Sequence, residues 1–288
     1  MTIAFDAMLH LAETLNTVEQ SETHLVTGTS TTTTLVSTKL TETDDYWNGG
    51  TLFITYDAAG SGAAPQNESR EITDFVQSTY TVTVSPAFTA APAIGDKFAI
   101  ADNEYPRRVL LRALNSALRW YGDIITQDDT SLDTAANTLE YTLPSAAVND
   151  LRQVYIATAK EEPYQYKPFP FWQVDIGSGK LKFRIQPEYT YNIRLVYHAP
   201  HTPLNSDDDT ISPQVDLQSL YFYALAEIYQ WKLQSTGRDD KRWADWYNQN
   251  MQLAEATRRR NPPARAYKDP SYADSGYVRQ GPTVADPS

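Results

Sequence analysis

The chain has 288 residues, 41% of them hydrophobic and 21% charged, which are the proportions of a folded globular protein with one large or two small domains. The lack of cysteine excludes disulfides, thiolate nucleophiles and thiolate metal sites, and the lack of a long apolar run or a leader-like N-terminus predicts no membrane association. The formal net charge of −12 is the reverse of that of a typical nucleic-acid-binding protein, so specific DNA binding is not expected.

The first third of the chain predicts one helix followed by a β-rich section. Apolar residues at helical spacing predict a helix over 3–18. Short runs of β-branched and aromatic residues, separated by Gly- and Pro-rich turns, predict a small antiparallel barrel or sandwich over 24–102. The segments with the clearest strand character are 29–36, 51–56, 80–84 and 97–100.

The middle of the chain changes from a strand period to a helical one and back again. Leu110 and Leu114 lie on the apolar face of a helix that we predict over 106–125. A second β-rich section is predicted over 137–213, with a hairpin turn at Gly177-Ser-Gly179.

The last third predicts two helices and an extended end. Apolar stripes predict helices over 217–232 and 243–254, and Gly237 between them is placed to end the first. The two helices are expected to form a hairpin. Residues 261–288 have no apolar periodicity, so they are expected to be extended when no partner is bound.

These elements predict an α+β protein with a small helical bundle, formed by an N-terminal helix, a central helix and a C-terminal helical hairpin, with antiparallel β-rich insertions and an extended C-terminal tail. The predicted domains are a helical bundle of residues 1–23, 103–136 and 214–260, a β-barrel or sandwich insertion of 24–102, a second β-rich section of 137–213, and the tail of 261–288.

The motifs that most nearly indicate a metal or phosphate site are incomplete. Gly60-x-Gly62 lacks the Lys-Ser/Thr pair of a phosphate-binding loop, so a flexible loop is the favoured interpretation. His198 and His201, followed by the acidic run 207–209, make the closest approach to a metal site, but their spacing fits neither zinc nor calcium motifs. We therefore predict a solvated loop there, and neither a metal nor a cofactor.

A pair of carboxylates beside aromatic residues leaves a glycan-hydrolysing site open. Glu161 and Glu162 precede such a cluster, and two carboxylates are what glycoside hydrolysis requires. The aromatic residues are Tyr164, Tyr166, Phe169, Phe171 and Trp172. Large aromatic side chains more often fill a core or a subunit contact, which is the interpretation we favour. No enzymatic activity is predicted.

The C-terminal segment is the predicted partner interface. Residues 255–288 carry six Lys/Arg and four Asp/Glu, a net charge of +2, which leaves −14 (−12 minus +2) on the rest of the chain. Tyrosines on an extended segment are typical anchors for a peptide that becomes ordered on a partner. The predicted interface residues are Arg258, Arg259, Arg260, Tyr267, Tyr272 and Tyr277.

Two local stretches and the order of the elements support a resemblance. The stretches are Asn192–Pro200 followed by Asp207–Ile211, and Gly95–Ile100. With the succession of helix, β-rich section, helix, β-rich section, helical hairpin and tail, they resemble the head-to-tail adaptor proteins of tailed phages, which are also called connector or neck proteins. In that family the C-terminal segment docks on the portal.

The resemblance implies a structural virion protein that is assembled in the host cytoplasm and located at the head-tail junction. It implies a homo-oligomeric ring, a dodecamer in the family, between the portal protein and a tail or stopper protein, with DNA passing through the lumen. It implies no catalytic residues. The alternatives are a tail-associated glycan-binding protein and, less favoured, a glycan hydrolase.

Overall fold

A computed structural model describes most of the chain as two compact units. The described residues are 2–15, 24–60, 62–135, 137–157, 165–186, 190–236 and 241–266. The first unit comprises residues 1–121 and 202–262, and the second comprises 122–201 and 263–288. Each unit contains its own cluster of buried hydrophobic residues.

The first unit contains a five-stranded antiparallel sheet in the order β1-β4-β3-β2-β5. Its strands are β1 (Thr34–Val36), β2 (Thr51–Tyr56), β3 (Ser69–Val76), β4 (Thr81–Ser85) and β5 (Lys97–Ala101). Residues 24–28 join the two edges, because Leu25 bridges to Lys97 and the Thr27 N–H donates to the Val36 carbonyl at 3.0 Å. The sheet therefore closes into a small barrel, which leaves neither edge strand open.

The barrel interior is filled by alternating strand residues. On β4, Val82 and Val84 point inward while Thr81 and Thr83 face outward, as the period of two of a β-strand requires. The buried cluster comprises Val26, Leu35, Leu40, Trp47, Leu52, Ile54, Ile72, Phe75, Val82, Val84, Phe88, Phe98 and Ile100. At Gly50 a Cβ atom would lie 2.2 Å from the Ala101 carbonyl oxygen, so only glycine fits at the start of β2.

Among the described residues, four α-helices complete the first unit: α1 (Ala4–Thr14), α2 (Arg107–Tyr121), α3 (Leu217–Thr236) and α4 (Lys241–Arg260). The four predicted helices are confirmed, but their bounds differ: α1 ends at Thr14, α4 is longer than predicted and spans Lys241–Arg260, and α2 ends four residues early. Gly122 takes a positive φ of 101°, which stops the helix, and the chain then enters a strand. Among the described residues, no helix is both long and apolar enough to cross a membrane.

The second unit is built from two antiparallel sheets. One has the order β10-β11-β7, with β7 (Glu140–Thr142), β10 (Trp172–Asp175) and β11 (Lys180–Phe183). The other has the order β6-β12-β8-β9, with β6 (Ile124–Asp133), β8 (Leu151–Ala157), β9 (Tyr166–Pro168) and β12 (Asn192–Ala199). Residues of both sheets share one core, in which Trp172, Leu181 and Leu195 are buried. The hairpin predicted at Gly177-Ser-Gly179 is confirmed between β10 and β11.

The predicted fold class, a small helical bundle with β-rich insertions, is wrong. The described residues form a mixed α+β protein with four helices and three antiparallel sheets, and the β-structure builds hydrophobic cores of its own. Part of the error lies at β6, within the segment 103–136 that was assigned to the bundle. The polar sequence of β6 lacks an apolar alternation, and the strand is recognisable only through its pairing with β12.

We predict that Leu114→Asp unfolds the first unit. The Leu114 side chain is 0% exposed on the inner face of α2, and an unpaired charge there costs several kcal/mol, on the order of the whole stability of a domain. Leu253→Asp is the matched control, because Leu253 is 39% exposed on α4. Thermal melting followed by circular dichroism tests both variants. A wild-type melting temperature for Leu114→Asp would contradict the packing described above.

Candidate interaction surfaces

A buried carboxylate holds the loop that leads into α3. The Asp207 side chain accepts hydrogen bonds from the Ser69 N–H and hydroxyl at 2.7 and 2.6 Å, from Arg107 at 2.9 Å and from Arg70 at 3.2 Å. Asp207 is 6% exposed. A charge at this depth requires such partners, because its desolvation would otherwise be prohibitive. The prediction of a solvated loop over 207–209 is therefore wrong for Asp207.

The backbone of the same loop completes the N-terminus of α1 and binds a side chain of α2. The first N–H groups of α1 have no partner inside the helix, and those of Ala4 and Phe5 donate to the carbonyls of Asp209 and Asp207 at 2.8 and 3.0 Å. On α2, the Asn115 side chain both donates to and accepts from the Leu204 backbone, at 2.8 and 2.7 Å. The loop thus fixes α1, α2 and the barrel to one another within the first unit.

His198 connects the second unit to the start of the C-terminal segment. Its Nε2 accepts the Ala266 N–H at 3.0 Å, and its Nδ1 lies 2.7 Å from the Asp150 carboxylate. The two contacts together require a neutral ring with its proton on Nδ1. Burial alone raises the pKa of Asp150, but hydrogen bonds from Arg152 and His198 outweigh it and hold that pKa below its usual value. Within the described residues, no group of three or more His, Cys, Asp or Glu is arranged to hold a metal ion.

The proposed glycan-hydrolysing pair, Glu161 and Glu162, lies outside the described residues, as does Tyr164. The neighbouring aromatic residues are mostly core. Trp172 is buried, and the rings of Phe169 and Phe183 lie 4.8 Å apart against the shared core of the two sheets. An open, mostly apolar pocket of about 270 Å³ borders this core, lined in part by Ile156, Phe169, Ile185 and Tyr191.

The predicted interface residues are placed only in part. The Arg258 guanidinium lies 4.8 Å above the Trp120 ring, which is itself stacked on Tyr223 at 4.5 Å. Arg259 forms an exposed ion pair with Glu255 at 3.4 Å, and Arg260 is exposed at the end of α4. The predicted tyrosines of the tail lie outside the described residues: Tyr267, Tyr272 and Tyr277.

The three C-terminal arginines belong to a larger basic surface, which we call the basic face and define as the exposed basic residues of α2, α3 and α4. These helices carry ten Lys/Arg and three Asp/Glu, a net charge of +7 in a chain of −12. Helix α2 contributes three exposed arginines, Arg108, Arg112 and Arg119, and no acidic residue, while its fourth arginine, Arg107, pairs with Asp207. Charge summed along the sequence hides this surface, because residues 122–216, which separate α2 from α3, carry fourteen Asp/Glu and seven Lys/Arg.

A groove between α2 and α3 concentrates the charge of the basic face. This α2–α3 groove has a volume of about 250 Å³ and is lined by Arg108, Val109, Arg112, Ala113, Glu227, Gln230, Trp231 and Gln234. Arg108 and Arg112 lie one turn apart and are exposed. Neither guanidinium group forms a hydrogen bond or an ion pair with any other described residue. Glu227 lies beside Tyr223, where burial first and then this carboxylate raise the pKa of Tyr223 to about 12.

The barrel of the same unit carries the opposite charge. Residues 1–106 contain fourteen Asp/Glu and three Lys/Arg. An exposed group of carboxylates lies on β3 and on the turn that runs beside it, and we call it the acidic patch. Its members are Asp44, Asp45, Glu71 and Asp74, and the half-buried Glu42, which accepts a hydrogen bond from the Trp47 indole, lies in the same turn. The turn is held along β3 because Asp45 donates its N–H to the Phe75 carbonyl at 3.0 Å and Asp44 accepts the Gln77 N–H at 2.7 Å.

The fold and these surfaces define an α+β protein whose first unit presents an acidic barrel and a basic helical face. No family model matches the chain, and no curated protein sequence matches it. A function must therefore be argued from the surfaces themselves.

We predict that Asp207→Asn destabilises the first unit by about 3–5 kcal/mol, because it leaves the Arg107 and Arg70 guanidinium groups without their buried counter-charge. The neighbouring Asp208→Asn is the matched control. Asp208 is exposed, and surface substitutions usually change the free energy of unfolding by less than about 0.5 kcal/mol. Urea denaturation measures both. Equal unfolding midpoints for the two variants would show that the buried cluster contributes nothing to stability.

Proposed function

We propose that the protein is a structural, non-catalytic subunit of the head-to-tail junction of a tailed-phage virion, where it forms a ring between the portal protein and a tail or stopper protein. The observation that carries this proposal is the segregation of charge within one compact unit. Its barrel is acidic and its helical face is basic. Two different and complementary surfaces on one chain are what a head-to-tail contact between identical copies requires.

The charge pattern favours a ring over a two-fold dimer. A two-fold contact centred on the basic face alone would place it against a second basic face, and a two-fold contact pairs opposite charges only if both surfaces lie in the same interface. A head-to-tail contact instead places the acidic barrel of one copy against the basic helices of the next. Such contacts close into a ring when the rotation between copies is a whole fraction of a turn. The resemblance to the phage adaptors supports a closed ring, with a dodecamer as the expected size.

The helical hairpin offers apolar surface for subunit contacts. Only three residues of α4 are buried, although the helix is 20 residues long. Trp246 is 38% exposed, and the Arg242 guanidinium lies 4.5 Å above the adjacent Trp243 ring. Exposed aromatic residues together with arginine are enriched where proteins meet other proteins. This composition supports a protein partner for the outer side of α3 and α4.

The C-terminal tail is proposed to dock on the portal. Its root is bound to the second unit through the hydrogen bond between Ala266 and His198. The three predicted tyrosine anchors follow that root directly in the sequence. The net charge of −12 supports a lumen through which DNA slides without specific binding, because like charges repel along the path of the duplex.

The direct test is the mass of the assembly and its symmetry in negative-stain images, with the protein alone and with portal rings of the same phage. We expect rings with a central opening, either alone or on the portal. A closed two-fold dimer that ignores portal rings would contradict the proposal.

We predict that truncation after Ala266 leaves the fold intact and abolishes binding to portal rings. The truncation keeps the Ala266–His198 hydrogen bond and removes all three tail tyrosines. The full-length variant Tyr267→Ser/Tyr272→Ser/Tyr277→Ser is the matched control for chain length, and it should show the same loss. Co-sedimentation with portal rings and thermal melting are the measurements. If the truncated chain binds portal as well as the full-length chain does, the tail is not the docking element.

A further inference from the structure

We infer that the α2–α3 groove of one copy receives the acidic patch of the neighbouring copy, so that these two surfaces form the lateral contact of the assembly. This inference rests on the proposed ring function, because it names the partner of the basic face. It goes further by assigning the contact to Arg108 and Arg112 on one side and to Glu71 and Asp74 on the other.

The groove is built to take carboxylates. Arg108 and Arg112 project from the same side of α2, where residues four apart are neighbours with Cβ atoms about 5–6 Å apart. Guanidinium groups bind carboxylates through two parallel hydrogen bonds, a geometry that lysine does not offer. The opposite wall adds the amide groups of Gln230 and Gln234 and one carboxylate, that of Glu227, which lies beside Tyr223. The α2–α3 groove has a volume of about 250 Å³, which admits side chains but excludes a helix with a diameter of about 10–12 Å.

The acidic patch presents carboxylates that are free to enter such a groove. Glu71 and Asp74 are exposed on β3, and their side chains form no hydrogen bond or ion pair with any other described residue. Tyr46, which follows Asp45 in the acidic patch, is 52% exposed. Its ring packs edge-on against the Trp47 ring, with 4.8 Å between the ring centroids. An exposed tyrosine beside acidic residues provides an aromatic anchor, and Trp231 in the groove wall is a suitable surface for it.

A second copy of this chain is the occupant that the charges favour. The acidic patch and the groove belong to the same compact unit, so every copy carries both halves of the contact. The chain as a whole carries a net charge of −12, and this charge opposes the approach of a duplex to the groove. A small acidic patch on a second copy, unlike an extended duplex, contacts only the groove and is less affected by the net charge of the rest of the chain. DNA phosphate is therefore treated as a competing outcome of the test.

The test is a charge swap across the contact. Two half-variants, Arg108→Glu/Arg112→Glu and Glu71→Lys/Asp74→Lys, each place like charges together and should weaken self-association by about tenfold or more. The combined four-fold variant restores opposite charges and should return to within a few-fold of the wild type. An equimolar mixture of the two half-variants should also assemble. Sedimentation velocity over a range of protein concentrations, with and without portal rings, measures each species.

Lys167→Glu/Arg184→Glu is the matched control for net charge. It makes the same charge change as the groove variant but lies on the second unit, outside the basic face and the acidic patch, so self-association should stay at the wild-type level. All the substituted residues are exposed. Thermal melting checks that each variant is folded. Retardation of duplex DNA is measured in parallel for the wild type and the groove variant.

Cysteine cross-linking provides a second readout that does not depend on the strength of association. The chain contains no cysteine, so an introduced pair is unique. Oxidation of a mixture of Arg112→Cys and Asp74→Cys proteins should give a cross-linked heterodimer. Oxidation of the chain that carries both substitutions should give a ladder of covalent oligomers on a non-reducing gel.

Each outcome bears on one proposal or on both. Rings that form equally well with either half-variant overturn the lateral contact and leave the ring function standing. Failure of the wild type to self-associate, with or without portal, overturns both. A groove variant that loses DNA retardation and keeps assembly assigns the groove to phosphate and overturns the inference. Cross-linking of Arg112→Cys only with itself would show a two-fold contact, which also overturns it.

Discussion

The burial of the Asp207 carboxylate is the constraint on which the first unit depends. Its two oxygens accept hydrogen bonds from β3 and from the first residue of α2. The backbone of the same loop caps the N-terminus of α1 and leads directly into α3. A buried ion cluster adds little net stability compared with apolar packing, but removing one partner is costly because the others remain buried and charged. Its main effect is therefore to permit one arrangement of barrel and helices and to penalise others.

That arrangement creates the functional surfaces. Because α2 starts at the buried cluster, its inner face packs on the protein and its arginines at 108, 112 and 119 face outward. Because the loop delivers the chain into α3 beside α2, the two helices form the walls of one groove. The barrel is joined to the same cluster through β3, the strand that also carries Glu71 and Asp74. A single buried carboxylate thus links the basic and acidic surfaces that we propose to meet between copies.

In the part that the structure describes, the second unit is stabilised by the packing of two sheets and not by a buried ion cluster of this kind. Two sheets cover each other and share one core, and no helix of the described residues is needed to bury it. The unit also holds the root of the C-terminal tail through His198, whose neutral form is maintained by one donor and one acceptor contact. In the proposed assembly this unit is the base from which the tail reaches the portal.

Much of the local structure was predictable from the sequence. The period of the apolar residues identified the helices that became α1 to α4, and turn residues such as Gly49-Gly50 and Gly177-Ser-Gly179 marked strand boundaries. These features depend on neighbours within one or two turns, so the sequence contains them directly. The strand β6 was missed because its polar residues gain their backbone partners from β12, about 60 residues further along the chain.

The candidate interaction surfaces also combine features that the sequence determines with features that only the tertiary structure decides. The sequence by itself determined the acidic total, the absence of cysteine, the basic end of α4 and the presence of an acidic run at 207–209. Only the tertiary structure decided that Asp207 is buried among arginines, that Arg108 and Arg112 line a groove, and that the acidic and basic residues separate onto two surfaces of one unit. The physical reason is that burial and charge pairing depend on residues up to 138 positions apart, which no local pattern in the sequence brings together.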